Sequence, residues 1–299
     1  MKRNKVVGIL FSIILLIAAG VLNHETFFQV QKEENLVTGE EGNLEVHFLD
    51  VGQGDATLIT QGQYAMLVDG GDNLHGWQVA EYLNYLGINH LEYVIASHPD
   101  MDHIGGLDIV LQNISCDMVF MPEYERDTYS YLGLMQVLEE KDLKPIQPEP
   151  GNVYELGTAK FTILAPLDSY ENINDNSIAF RMIHGKNRFL FTGDAEHDAE
   201  VDMVKAGRTL SADVYKVAHH GSRGTNTELF MLSVRPKYAV ISCGEGNEYG
   251  HPHSRVLNLL RLLRTKVYRT DEQGTIVAFS DGEKVTFNVP PSESWQSGK

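Results

Sequence analysis

Six of the 12 histidines in this 299-residue chain stand in three short clusters: His98 with His103, His219 with His220, and His251 with His253. The other six, His24, His47, His75, His90, His184 and His197, are scattered and read as ordinary polar residues. The first cluster, Ser97-His98-Pro99-Asp100-Met101-Asp102-His103, follows the apolar run Tyr93-Val94-Ile95-Ala96 and precedes Gly105-Gly106. A loop at the carboxyl end of a strand presents ligands while the sheet holds them rigid. Two imidazoles and two carboxylates within six residues waste desolvation energy unless a cation joins them. The competing reading is a solvated acidic turn.

The elements that must position this loop can be read from periodicity. Leu44 to Leu49, Ala56 to Thr60, Tyr64 to Val68 and Leu91 to Ala96 are short β-prone runs, with helical spacing at Trp77 to Leu86 and a helix opening at Gly106. Further strands are expected near Phe161 to Leu164, Ile178 to Ile183, Arg188 to Phe191, Val214 to Val217, Tyr238 to Ile241 and Thr275 to Phe279. Helices are expected at Glu196 to Ala206, Thr227 to Leu232 and Ser254 to Leu263. Early strands are hairpin-like and later ones alternate with helices. That mixture fits an α/β (α+β) fold of two mixed sheets packed together with helices outside, a four-layer αββα sandwich over residues 44–290.

Lys2, Arg3 and Lys5 precede an uncharged apolar run from Val6 to Leu22. This pattern predicts a signal peptide or membrane anchor over residues 1–23, so that the remainder works outside the cytoplasm, with any membrane contact made through this segment. Residues 24–43 read as a polar, acidic linker and 291–299 as a tail. The formal net charge of −17 argues against a broad basic face for nucleic acid, although carboxylates that ligate divalent cations are offset by those cations. Cys116 and Cys243 lie far apart and form no metal motif, and two incidental thiols are expected.

His98-x-Asp100-x-Asp102-His103 resembles the H-x-H-x-D-H signature of metallo-β-lactamase-fold hydrolases. The variant with Asp in second place, within S-H-x-D-x-D-H-x-G-G, is similar to the extracytoplasmic hydrolase domain of ComEC-type competence proteins. Phe48-Leu49-Asp50-Val51-Gly52-Gln53-Gly54-Asp55-Ala56 resembles the opening of that family, and Leu67-Val68-Asp69-Gly70-Gly71 its first-motif aspartate. Phe191-Thr192-Gly193-Asp194, Val217-Ala218-His219-His220-Gly221-Ser222, Tyr249-Gly250-His251-Pro252-His253 and Arg269-Thr270-Asp271 resemble its later motifs. The resemblance covers about residues 44–290 and implies a dinuclear site. In it His98 and Asp100 bind one metal, Asp102 and His103 the other, and Asp194 bridges them. His219 completes the second metal in preference to His220, which then faces substrate. Asp69 orients a ligand from behind or is simply a turn carboxylate.

The family's usual middle histidine is missing, and Asn172-Ile173-Asn174-Asp175-Asn176-Ser177 stands in its place. Asn176 is expected to give a weak oxygen ligand, a hydrogen bond or only a turn. A site so rich in oxygen suits two divalent metal ions drawn from Zn²⁺, Mn²⁺ and Mg²⁺. Such a pair activates a hydroxide for in-line attack on a phosphodiester. Asp102 holds a metal at the reacting centre. His251 and His253 are candidates to contact a phosphate oxygen or protonate the leaving alkoxide, or are exposed histidines at a helix entry. The G-x-G of Gly52-Gln53-Gly54 reads as a tight turn.

The expected activity is a free-standing, exported phosphodiesterase, most simply a DNase. A cell-wall phosphoester such as a phosphocholine or teichoic-acid linkage is the alternative substrate. A β-lactam or lactone is disfavoured by Asp100 and the absent middle histidine, and a metal-stabilised binding module by the surplus histidines. A nuclease gripping long DNA needs a basic track, for which Lys186, Arg188, Arg208, Lys216 and Arg223 are scattered candidates.

Overall fold

A computed structural model of the chain describes residues 42–298. The leader and nearly all of the linker therefore lie outside the described residues. Fourteen strands form two seven-stranded sheets. In chain order the first sheet holds β1 (Leu44–Phe48), β2 (Thr57–Gln61), β3 (Tyr64–Val68), β4 (His90–Ile95) and β5 (Ser115–Phe120), and is completed late by β13 (Ile276–Ser280) and β14 (Val285–Phe287). Its order is β14-β13-β1-β2-β3-β4-β5. The second sheet holds β6 (Val153–Leu156), β7 (Ala159–Ala165), β8 (Ala179–His184), β9 (Asn187–Phe191), β10 (Val214–Lys216), β11 (Tyr238–Ile241) and β12 (Lys266–Arg269), in the order β12-β11-β10-β9-β8-β7-β6. Both sheets are mixed. Pairing is antiparallel up to β3 and up to β9, and parallel across β3-β4-β5 and β9-β10-β11-β12.

Alternation along the strands decides the layers, because successive side chains point to opposite faces. Phe48, Ile59, Met66, Ile95, Phe161, Phe180, Phe189 and Phe191 fill the space between the sheets. Leu58, Leu67, Leu91 and Val94 face outward onto α1 (Gly76–Tyr85), α3 (Leu107–Asn113) and α4 (Tyr129–Glu140). Leu190, Tyr215, Ala239 and Ile241 face α5 (His197–Lys205), α6 (Glu228–Val234) and α7 (Ser254–Leu262). The result is the four-layer αββα sandwich. Two single-turn helices, α2 (Met101–Ile104) and α8 (Thr270–Gln273), complete the described set. None of the described helices is long and apolar enough to cross a membrane. Cys116 and Cys243 are free thiols.

Several elements carry little periodic signal in the sequence. β5 is half-exposed along most of its length, β6 and β14 are short edge strands, and α4 follows an acidic loop. Residues 291–298, read above as a tail, are packed instead. The Ser292 N–H donates to the Val267 carbonyl on edge strand β12, the Arg261 guanidinium lies 4.7 Å over the Trp295 ring, and the Gly298 N–H reaches the Pro252 carbonyl. The tail covers an edge strand that would otherwise leave backbone groups unpaired.

A buried glutamine joins the two sheets at one end. Gln61, at the end of β2, accepts from the N–H groups of Thr158 and Ala159 at 2.7 and 3.0 Å and donates to the Thr158 hydroxyl at 2.7 Å. Gln61→Ala leaves those donors without the acceptor, and we expect it to cost about 1–3 kcal/mol of unfolding free energy. Urea denaturation reads this as a lowered midpoint at unchanged slope.

Candidate metal centre

The three histidine clusters and two aspartates converge where the parallel strands end. Asp69 follows β3, His98 follows β4, Asp194 follows β9, His219 and His220 follow β10, and the loop bearing His251 follows β11. Backbone hydrogen bonds stitch the ligand loop to its neighbours. Asp55 N–H donates to the Asp102 carbonyl at 3.0 Å and Gly70 N–H to the His103 carbonyl at 2.7 Å. This explains Gly54 better than a tight turn does: a Cβ there would stand 2.5 Å from the Asp102 carbonyl oxygen, so only glycine lets the two loops meet.

Two groups of ligand atoms, His98, His103 and Asp194, and Asp102, His103 and His220, each lie within 4.8 Å of one another, and a third, Asp55, Asp69 and His103, shares His103 with both. His98 Nε2, His103 Nε2, Asp194 Oδ1 and His220 Nε2 are buried without a hydrogen-bond partner. Buried polar atoms are rarely left so, because each costs about 1–3 kcal/mol. Divalent cations fit this donor set, since these four orphaned atoms are of the kinds that ligate metals and belong to groups whose ligand atoms lie within 4.8 Å of one another. The second nitrogen of the inner imidazoles is occupied elsewhere, as it must be for the first to ligate. His103 Nδ1 is 2.9 Å from Asp69 Oδ2, and His220 Nδ1 donates to the Ser242 carbonyl at 2.9 Å. Asp69 in turn accepts from the Ser97 N–H and hydroxyl at 2.8 and 2.7 Å. Both of its oxygens are thus bonded within the buried site, to Ser97 and His103, rather than left free in a turn.

The electrostatics follow from this crowding. Burial opposes charge on His103, but the Asp194 and Asp69 carboxylates outweigh it and push the imidazole well above its usual range. Burial likewise opposes charge on Asp194, yet His103, His219 and His220 hold its carboxyl well below the usual range. Burial and the neighbouring His103 push His98 down to about 4, leaving it neutral and able to ligate.

The neighbouring histidines separate by backbone conformation. His219 and His220 both have left-handed φ, 49° and 52°, which costs about 1–2 kcal/mol per residue. The turn is pinned by buried groups: the Tyr215 hydroxyl accepts from the Ala218 N–H, and Thr225 Oγ1 and Asn226 Nδ2 donate to the Ala218 carbonyl. It turns His220 inward, with Nε2 3.3 Å from Asp102 and 3.7 Å from Asp194. His219 stays at the rim, its Nδ1 3.2 Å from Glu196 and its Nε2 3.6 Å from Asp194. The geometry thus gives the inner ligand position to His220 and reverses the preference for His219.

Other expected residues are also redistributed. Asn176 is fully used within its own loop, accepting from Tyr170 N–H and donating to the Tyr170 and Asn172 carbonyls, so it offers no ligand atom. Asn174 faces the site instead: its Nδ2 donates to Glu196 at 3.0 Å, and its Oδ1 is buried without a partner. Asp100 lies outside both compact groups. One oxygen stands 3.8 Å from His98 Nε2 and the other 3.2 Å from the Arg126 guanidinium. His251 is buried and pushed down to about 3 by burial and by His220 and His219, so it is a neutral contact rather than a proton donor. His253 Nδ1 accepts from the Arg223 N–H, which commits that nitrogen to the loop. Arg126 and Glu196 went unread in the sequence as parts of the site, because nothing in their spacing ties them to a cluster, and the Asp55–Lys216 pairing at 2.8 Å joins two residues that the sequence placed in different contexts.

The chain belongs to the metallo-beta-lactamase superfamily, whose pattern it matches over residues 49–245. Within curated proteins it is similar to ComE operon protein 3 of Bacillus subtilis, 30% identical over 266 residues that cover 83% of this chain and 34% of that protein. Recombination protein 2 of Haemophilus influenzae is 32% identical over 238 residues, 78% of this chain and 28% of that protein. Competence protein ComA of Neisseria gonorrhoeae is 30% identical over 233 residues, 76% and 31%. The chain thus spans about a third of the length of these relatives. Two solved structures share the fold: YhfI from Bacillus subtilis, with TM-score 0.53 at 15% identity over 80% of this chain and all of that one, and CmlA from Streptomyces venezuelae, with TM-score 0.50 at 13% identity over 77% and 53%. The second is a diiron β-hydroxylase, so the fold does not by itself fix the reaction.

Asp69→Asn removes the acceptor that sets the His103 tautomer. We expect metal affinity to fall about 10- to 100-fold with the fold intact, read by calorimetric titration of Zn²⁺ or Mn²⁺ into metal-free protein. Glu200 braces the histidine turn from below, accepting from the Asn226 and Thr227 N–H groups while fully buried, and burial pushes it up to about 7. An acid raised above its unfolded value gives stability that is present at low pH and lost as pH rises. Relative to wild type, Glu200→Gln is therefore expected to gain about 3 kcal/mol between pH 4.5 and 7, measured by urea denaturation across that range.

Proposed function

We propose that the protein is an exported phosphodiesterase that uses two divalent cations, with DNA as its substrate. The observation that carries this reading is the pair of buried ligand groups that share His103, with orphaned atoms of His98, His103, His220 and Asp194 turned toward one another. When bound, two such cations supply Lewis acidity and activate water at neutral pH for in-line displacement at phosphorus. His98 and Asp194 would hold one, and Asp102, His103, Asp194 and His220 the other, with Zn²⁺, Mn²⁺ or Mg²⁺ as candidates.

The surrounding residues divide the remaining work. Asp69 and the Ser242 carbonyl orient His103 and His220. Glu196 holds His219 Nδ1, which leaves Nε2 at the half-open rim to contact a phosphate oxygen and deliver a proton to the leaving alkoxide. His251, neutral and buried, borders the open side with Gln53. Arg126, tied to Asp100 at the mouth, offers a guanidinium for a second phosphate oxygen. Export rests on the basic and apolar pattern of residues 1–23. DNA is supported by the similarity to proteins named for competence and recombination.

The basic residues favour a second reading of substrate size. Lys216 is buried against Asp55, Arg188 is bonded to Asp213, Lys186 pairs with Glu283, and Arg208 donates to the Pro150 carbonyl. Among the described residues these four are engaged by other partners, and the fifth candidate, Arg223, borders the site, its N–H donating to His253 Nδ1, an arrangement that favours a short oligonucleotide or a small phosphoester, the cell-wall class included. The test is hydrolysis of single-stranded DNA and of bis-p-nitrophenyl phosphate with Mn²⁺ or Zn²⁺. We expect both to be cleaved and Asp102→Ala to lose about a thousandfold or more. Full activity in Asp102→Ala would sink the site, and cleavage of the small ester alone would sink DNA as substrate.

A further inference from the structure

The open side of the site carries a column of rings. His251 stacks on the inward-facing His220 with ring centroids 6.0 Å apart and planes at 27°. Tyr249 stacks on His251 at 5.6 Å and 19°. The column therefore runs from a buried ligand histidine to a tyrosine that is 59% exposed. His251 is the ring partner of Tyr249 among the described residues, and more than half of the tyrosine stays open to solvent beside the ligand histidines.

The loop that holds this ring is fixed from within. Asn247 donates to the carbonyls of Gly244 and His251 and accepts from the His251 N–H at 2.9 Å, closing the turn around Tyr249. Gln53 Oε1 accepts from Gly244 N–H, and Gly298 N–H donates to the Pro252 carbonyl just beyond. A ring anchored this way is ordered before any ligand arrives, so stacking on it loses little conformational entropy.

Building on the phosphodiesterase reading above, we propose that the exposed ring of Tyr249 stacks the base of the nucleotide next to the scissile phosphate, so that the substrate class is a phosphodiester bearing a planar aromatic group. With Lys186, Arg188, Arg208 and Lys216 engaged by other partners, the base offers the substrate a further point of recognition. Every base has a π-face, so such a platform tolerates sequence while rejecting phosphoesters that carry no ring. Tyr249 is a specificity residue here. It touches the substrate away from the reacting atoms.

The test is equilibrium binding to the metal-loaded protein, read by calorimetry with thymidine 5′-monophosphate and with deoxyribose 5-phosphate, neither of which is a diester. Wild type is expected to bind the nucleotide about 5- to 150-fold more tightly than the base-free sugar phosphate. Tyr249→Ala should bring that ratio close to one while leaving the affinity for deoxyribose 5-phosphate unchanged. Tyr249→Phe should keep the ratio, since the ring face and not the hydroxyl makes the contact. Equal binding of the two ligands by wild type would overturn the stacking proposal alone. A loss in Tyr249→Ala that is the same for both ligands would overturn it too, by showing a role in loop structure. Failure of either ligand to bind, together with no hydrolysis of bis-p-nitrophenyl phosphate, would overturn the phosphodiesterase reading beneath it.

Discussion

Asp194, His103 and Asp69 stand in one buried line. His103 Nδ1 is held at 2.9 Å by Asp69 and its Nε2 faces Asp194 at 3.2 Å. Anionic carboxylates on both sides of one imidazole, all but withdrawn from water, are tolerable only when positive charge is supplied between them. Burial, the tightened Asp69–Ser97 bonds and the inward turn of His220 all concentrate that demand at one place. The sandwich can be understood as the frame that holds these like charges together until cations join them.

The frame does this through backbone rather than side chains at its tightest points. Three loops, around Gly54, Gly70 and Gly106, meet so closely that a Cβ on any of them would strike a neighbouring carbonyl or side chain. Left-handed residues then place functional side chains: Asp69 at φ 59° and His220 turn inward, and His219 stays at the rim. Strain of this sort persists only where surrounding bonds over-determine it. Here Tyr215, Thr225, Asn226 and Glu200 supply those bonds from the layer beneath.

The open side differs in character from the closed one. Behind the ligands lie aspartates, a buried lysine and backbone carbonyls, and in front lie half-exposed His219, Arg126 and the ring column ending at Tyr249. Charge on the closed side serves the ligands. The open side offers rings with the Arg126 guanidinium beside them, which suits a phosphate attached to something flat.

Composition and spacing marked the metal loop at His98 to His103, the histidine pair after β10 and the sandwich that carries them, while Asp194 was singled out through the family resemblance. Those signals are local: a strand followed at once by ligand residues and glycines reads the same in any context. Strands such as β5 and β6 escaped because their faces are partly exposed and lack clean alternation. The sequence did not decide which of two adjacent histidines turns inward, or that Asn174 and not Asn176 borders the site. Nor did it show that Lys216 is buried against Asp55. Residue type is the same in either arrangement. What separates them is a left-handed φ, a carbonyl such as that of Ser242 in reach of one nitrogen, or a loop carboxylate 161 positions away, and only the packed chain brings those partners together.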